Sequence, residues 1–152
     1  MRYFAYGANM HPREMAKTSP TATVVGPGLV EGFRLTFGVY SDRWKGGAAN
    51  IMPAEGGRCW GVVWDVPEED VARLDTLAGH PTFYRHDDVV VRVGVSLETC
   101  TTYRIAHQHG YVRPDEAYLQ VLRAAIREQG LPVEALDLLE RAASLPYPRI
   151  DS

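Results

Sequence analysis

The sequence predicts an α+β domain with a curved, barrel-like sheet, and three observations predict it. Strand-like runs dominate, with helices inserted between them and appended at the end, so the regular strand–helix alternation of a doubly wound fold is missing. Several strand runs carry internal glycines, as at Gly26, Gly28 and Gly32, where sheets bend or bulge. The chain has 152 residues, of which 45% are hydrophobic and 23% charged, which suits one globular domain with a core of ordinary depth. Residues 1–145 are expected to form that domain and 146–152 a loosely held tail, since proline in SLPYPRIDS opposes continued helix.

The elements follow in order. Arg2 to Tyr6 reads as a short aromatic strand ending at Gly7, and HPREMAK, with Pro12 in a first-turn position, as a brief helix. Thr21 to Phe37 suggests two strands broken at glycine, WKGGAANIMP a Gly-Gly turn leading into another strand, and RCWGVVWDV a further strong strand. PEEDVARLDTLAG has a proline start, early acids and apolar Val71, Leu74 and Leu77 at helical spacing, with Gly79 as the stop. Two strands, about 84–95 and 99–106, are expected around an S-L-E-T turn. Two helices, about 115–129 and 132–143, come after the polar link HQHGYVRPD.

Charge and motifs exclude several functions. Net charge is −3, with Lys and Arg scattered rather than striped, so neither a nucleic acid nor an anionic membrane is the expected partner. No apolar run reaches the roughly 18 to 20 residues of a membrane span, and MRYFAYGANM lacks the pattern of a signal peptide, which makes a cytoplasmic location the expectation. Cys59 and Cys100 sit in apolar strand runs and read as buried free thiols. GxSxG, GxxxxGK[ST], CxxC, HExxH and GxGxxG are all absent, and His107 and His109 read as a solvated link rather than a metal site. Trp60, Trp64 and Phe37 read as core, and Arg85 and His86 as a solvated edge.

What remains is the turn YGAN, the Gly-Gly pair after Trp44, the strand WGVVW and the loop LDTLAGHPTFY. A glycine-containing turn between strand and helix aims successive backbone N–H groups at one point, where a carboxylate or a developing oxyanion can sit. A tight connection with Asn9 bonding its own backbone explains the same residues.

Together, YFAYGAN, GFRLTFG, WKGGAANI, RCWGVVW, the LD...G...Y loop, TTYRI and REQGLP resemble the γ-glutamylcyclotransferase family over about residues 2 to 143. The resemblance implies a mixed five-stranded barrel with flanking helices, and conversion of a γ-glutamyl amine or amino acid to 5-oxoproline and free amine. In that reaction the substrate's own α-amine attacks its γ-carbonyl, so the nucleophile is already tethered and no metal or organic cofactor is needed. One carboxylate can take the α-ammonium proton and then deliver a proton to the departing amine.

By the same resemblance, backbone N–H groups of Tyr6, Gly7, Ala8 and Asn9 hold the substrate, and Tyr84, Tyr103 and Tyr118 surround it. Ala8 stands where serine is usual, which removes a hydroxyl and keeps the backbone donor. The general acid/base is expected as a glutamate directly before a glycine, and here that position is Ala78. Three accounts of the alanine are open: a substitution made to hold intact substrate, a natural member that binds without turnover, or an enzyme whose proton path runs elsewhere. Asp75, three residues earlier and shorter, serves only if the loop repacks, and Glu98 is not at the family position. YGAN resembles the γ-glutamyl amino acid type more than the relatives that cleave glutathione.

Overall fold

The computed structural model describes residues 1–108 and 110–144; the expected tail and His109 lie outside them. Five strands close into a barrel in the order β1-β3-β2-β4-β5. They are β1 (Arg2–Ala5), β2 (Thr23–Ser41), β3 (Gly46–Asp65), β4 (Arg85–Val93) and β5 (Ser96–Arg104). All neighbours run antiparallel except β1 and β5, which meet in parallel at Tyr3 and Thr101 and make the sheet mixed. Four α-helices accompany it: α1 (Pro12–Thr18), α2 (Glu68–Ala78), α3 (Glu116–Glu128) and α4 (Val133–Ala143).

The expected break of 21–37 into two strands is corrected: β2 is one strand of 19 residues paired along its length with β3, itself 20 residues long. Register shifts at Val24/Gly26, Glu31/Phe33 and Thr36/Val39 let this ribbon curve round the barrel without ending. The glycine signal was a bend, not a boundary. Likewise the reversal lies at 42–45, where Lys45 takes φ 57°, and the Gly-Gly pair opens β3 instead of forming the turn. The β4–β5 reversal falls at Gly94 and Val95, so Ser96 to Thr99 belong to the strand.

The interior is filled by Phe4, Val30, Ile51, Val62, Val63 and Val91 from the strands, with Leu122 and Leu139 from α3 and α4. Phe37 and Trp64 are buried as expected, and both cysteines are buried and free. Trp60 is the exception: it is only half-buried, because its indole N–H reaches outward to donate to Glu134 Oε1 at 2.7 Å.

Two local features aim the elements at one end of the barrel. At the end of α2, Gly79 adopts φ 70°, His80 N–H donates to Asp75 O and Gly79 N–H to Thr76 O, the paired bonds of a Schellman stop. Before α3, the link is pinned across the β2–β3 ribbon by Val112 N–H to Phe37 O (2.6 Å) and Gly47 N–H to Arg113 O (2.8 Å). Asp115 then caps α3 by accepting from Ala117 N–H. No helix among the described residues is long and apolar enough to cross a membrane.

Candidate active site

Beyond Ala5 the chain leaves the sheet, and Ala8–Met10 form a single 3₁₀ turn closed by Met10 N–H to Gly7 O. A 3₁₀ turn pairs each N–H with the carbonyl three residues back, so the N–H groups of Ala8 and Asn9 have no partner inside it. Gly7 gives the turn room beside α3: a Cβ would stand 3.3 Å from the Tyr118 hydroxyl, a tight contact, and 3.5 Å from the Ala49 methyl, an ordinary one. The turn is thereby pressed against α3.

This turn forms one wall of a cleft of about 190 Å³. Tyr6, Gly7, Ala8, Asn9, Ala78, Tyr84, Tyr103 and Tyr118 all line it, so the positions the resemblance picks out reach one cavity, whereas Gly46, Gly47 and Asp75 do not line it. Ala78 closes the last turn of α2, and its carbonyl accepts from Tyr84 N–H at 3.1 Å while Gly79 O accepts from Phe83 N–H at 2.7 Å. The loop after α2 therefore doubles back and sets Tyr84 beside Ala78.

The tyrosines are held from their far ends. Tyr84 OH donates to Ala49 O (2.8 Å), and Tyr118 OH accepts from Ala49 N–H (3.0 Å), so one peptide is clasped by two phenols. Tyr6 OH donates to Tyr103 O (2.5 Å), and Tyr103 OH donates to Asp75 Oδ1 (2.5 Å). Tyr118 spends only an acceptor position on its partner, and its own O–H proton has none among the described residues. Burial raises the Tyr3 and Tyr118 phenols to about 12 and pushes Tyr6, Tyr84 and Tyr103 up as well, with the Asp75 carboxylate adding to the rise at Tyr103. These phenols stay protonated at neutral pH; Tyr6, Tyr84 and Tyr103 donate, whereas Tyr3 and Tyr118 accept. Among the described residues no carboxylate, imidazole or thiol lines the cleft, so none of those lining side chains accepts a proton at neutral pH.

Sequence reasoning missed several parts. Tyr3 lines the cleft and accepts from Asn9 Nδ2 at 3.3 Å, leaving Asn9 Oδ1 without a partner. Its signal was present, since YFAY carries two tyrosines three residues apart at a strand end. Arg43, Trp44, Leu77 and Phe83 also line the cleft, and nothing in a hairpin turn or a loop marks them beforehand. Arg85 and His86 are exposed, as a solvated edge requires, but His86 is also engaged: its Nε2 lies 2.6 Å from Asp75 Oδ1 and its ring stacks on His80. Gly46 and Gly47 serve packing, for Cβ atoms there would strike the backbone of 112–115. His107 is exposed, as a solvated link requires.

Asp75, His80 and His86 bring one potential ligand atom each within 4.8 Å of one another. The two imidazoles stack with centroids 4.0 Å apart and planes 17° apart. An imidazole lone pair lies in the ring plane, and two near-parallel planes at that separation do not meet at one ion, so the arrangement is a hydrogen-bonded support for Tyr103. Burial pulls the Asp75 carboxyl upward, but hydrogen bonds from Tyr103 and His86 outweigh it and hold the group below the usual carboxylate range. A lowered folded-state value means the stabilisation is complete above the unfolded value near 3.9 and is lost as pH falls through the folded one. Asp75→Asn should therefore lower the melting temperature at pH 7, and the gap from the parent should narrow below about pH 4. A gap that stays constant down to pH 2 counts against this linkage.

A closed mixed barrel whose first strand ends in a tyrosine-walled cleft is the architecture of a small-molecule site. The chain matches the family described as "Gamma-glutamyl cyclotransferase, AIG2-like" over residues 3–120, and it belongs to that family. A solved structure titled "Gamma-glutamyl cyclotransferase" is 27% identical, with a TM-score of 0.87 over 97% of this chain and 90% of that one. The uncharacterized protein LOC79017 from Homo sapiens gives the same identity, coverage and score. YkqA from Bacillus subtilis shares the fold at 21% identity and TM-score 0.82, covering 97% of this chain and 56% of that chain. No curated protein sequence matches the chain.

Proposed function

We propose that this cleft binds the γ-glutamyl group of a γ-glutamyl amine or amino acid, curled as cyclisation to 5-oxoproline requires, and that turnover is impaired because Ala78 holds the place of the proton carrier. The observation that carries the reading is that Ala78 and the Gly7–Asn9 turn share one cavity, whose lining among the described residues holds no carboxylate, imidazole or thiol.

Each group then has a task. The N–H groups of Ala8 and Asn9 face the oxygen that gains charge when the substrate's α-amine attacks its γ-carbonyl carbon. Asn9 Oδ1, without a protein partner, suits the α-ammonium, and the unassigned proton of Tyr118 suits a carboxylate or carbonyl oxygen. As the ring closes, the bond from the γ-carbon to the leaving nitrogen breaks, and that nitrogen must receive a proton. A side chain of a few atoms at position 78 would span both nitrogens, which a methyl group does not. Asp75 is a poor substitute, because it is absent from the lining and its Oδ1 is committed to Tyr103 and His86.

Absence of an acceptor in the lining equally favours a second reading, in which the chain binds γ-glutamyl metabolites and releases nothing. Calorimetry with a γ-glutamyl amino acid, followed by assay of the same mixture for 5-oxoproline, separates the two. Saturable binding with slow or undetectable product is expected. No binding of any γ-glutamyl compound removes both readings.

A further inference from the structure

The cleft has a deep end and a rim of different chemistry. Tyr3, Tyr6, Tyr103, Tyr118 and Ala49 at the deep end are each under 8% exposed, whereas Leu77 and Phe83 at the rim are 45% and 47% exposed. A γ-glutamyl group held at the deep end therefore directs its leaving amine towards the rim. Arg43, on the β2–β3 turn, is exposed like Leu77 and Phe83 and lines the same cleft, where it is the one charged residue among the described residues.

Arg43 is placed rather than loose. Its Nη2 donates to Glu14 Oε1 at 2.6 Å, and its guanidinium lies 4.9 Å from the centroid of the Trp44 ring, which in turn packs on Tyr118 at 4.8 Å. Glu14 is mostly buried and its other oxygen is taken by Lys17 at 2.7 Å, so two cations share one carboxylate and one positive charge is left over. The Nη1 and Nε groups of Arg43 have no partner among the described residues. A planar guanidinium with free donors, fixed by an acid and an aromatic face, is suited to receive a carboxylate.

We propose that Arg43 docks the α-carboxylate of the leaving amino acid while Leu77 and Phe83 receive its side chain, which makes γ-glutamyl derivatives of apolar amino acids the preferred ligands over γ-glutamyl amines. The inference rests on the reading of the cleft as a γ-glutamyl site. Carboxylate and side chain both branch from the carbon bonded to the leaving nitrogen, so both are carried to the rim with it, where a guanidinium and two apolar side chains are on offer. An amine without the carboxylate leaves Arg43 facing water, and glycine leaves the apolar wall uncovered.

Calorimetry on the purified chain tests this with three ligands: γ-glutamyl-leucine, its analogue lacking the carboxylate (the γ-glutamyl amide of 3-methylbutylamine), and γ-glutamyl-glycine. Leucine is expected to bind best, with loss of the carboxylate weakening binding about tenfold to a hundredfold, as for a charge-assisted hydrogen bond. Arg43→Gln should weaken γ-glutamyl-leucine by that same factor and leave the 3-methylbutylamide unchanged, which also shows an intact pocket; Arg43→Lys should retain part of the difference. Equal effects of Arg43→Gln on both ligands, or no effect on either, overturn the proposal while the γ-glutamyl reading stands. Failure of the parent chain to bind all three ligands overturns that reading and the proposal with it.

Discussion

Ala78→Glu is expected to raise release of 5-oxoproline from a γ-glutamyl amino acid by about 10² to 10⁴-fold, the usual contribution of general acid–base help. The carboxylate would enter from the last turn of α2, whose Schellman stop fixes the backbone on one side and whose carbonyl bond to Tyr84 N–H fixes it on the other. On the proposed reading the lining supplies the other groups: turn N–H groups without a partner in the turn, an acceptor on Asn9 and a protonated phenol on Tyr118. Because the alkyl part of the substrate already has its binding surface, the gain should appear in kcat with little change in KM. The measurement is product formation under single-turnover conditions beside the parent chain. If the glutamate variant folds, binds γ-glutamyl ligand and still forms no 5-oxoproline, the proton carrier does not belong at position 78.

Gly47→Ala is expected to have the largest effect on stability. A Cβ there would stand 2.0 Å from Val112 O and 2.9 Å from Val112 C, both backbone atoms of a segment that cannot withdraw freely. The link is tied down by Val112 N–H to Phe37 O and by the Gly47 N–H bond to Arg113 O, so relief of the clash breaks at least one of them. Overpacking together with a lost hydrogen bond costs about 3 kcal/mol, or roughly 6 to 12 °C in melting temperature for a domain of this size. The same segment leads into the first turn of α3, which carries Tyr118, so γ-glutamyl binding should weaken with it. A melting temperature within about 2 °C of the parent would show that the link and β3 are further apart than described.

The identity of the elements was legible in the chain because their signals are local. Pro67, the acids after it and Gly79 mark both ends of α2, and the alternation and apolar runs mark strands. Strand boundaries were less legible. Glycine within β2 signals a departure from a flat strand, but whether the chain stops or bends depends on whether β3 stays paired beside it, and β3 does. The site divides the same way. The turn YGAN, Ala78 and Tyr84, Tyr103 and Tyr118 carry a recognisable order along the sequence, and all reach one cleft. Arg43 and the Asp75–His86 support carry no such order, and Tyr3, though it stands in the same YFAY run, was passed over.

The sequence by itself determined an α+β barrel of the γ-glutamyl cyclotransferase family, the strand-end turn YGAN, and the alanine where the resemblance puts an acid. Only the tertiary structure decided that the β2–β3 ribbon is continuous, that Asp75 supports Tyr103 from outside the cleft, and that one guanidinium lines the same cleft as Leu77 and Phe83. The reason is separation along the chain. Tyr103 meets Asp75 across 28 residues and Tyr6 across 97, and Arg43 meets Glu14 across 29. Residue type and spacing specify what a segment does with its neighbours, whereas closure of the barrel selects which distant side chains share a space.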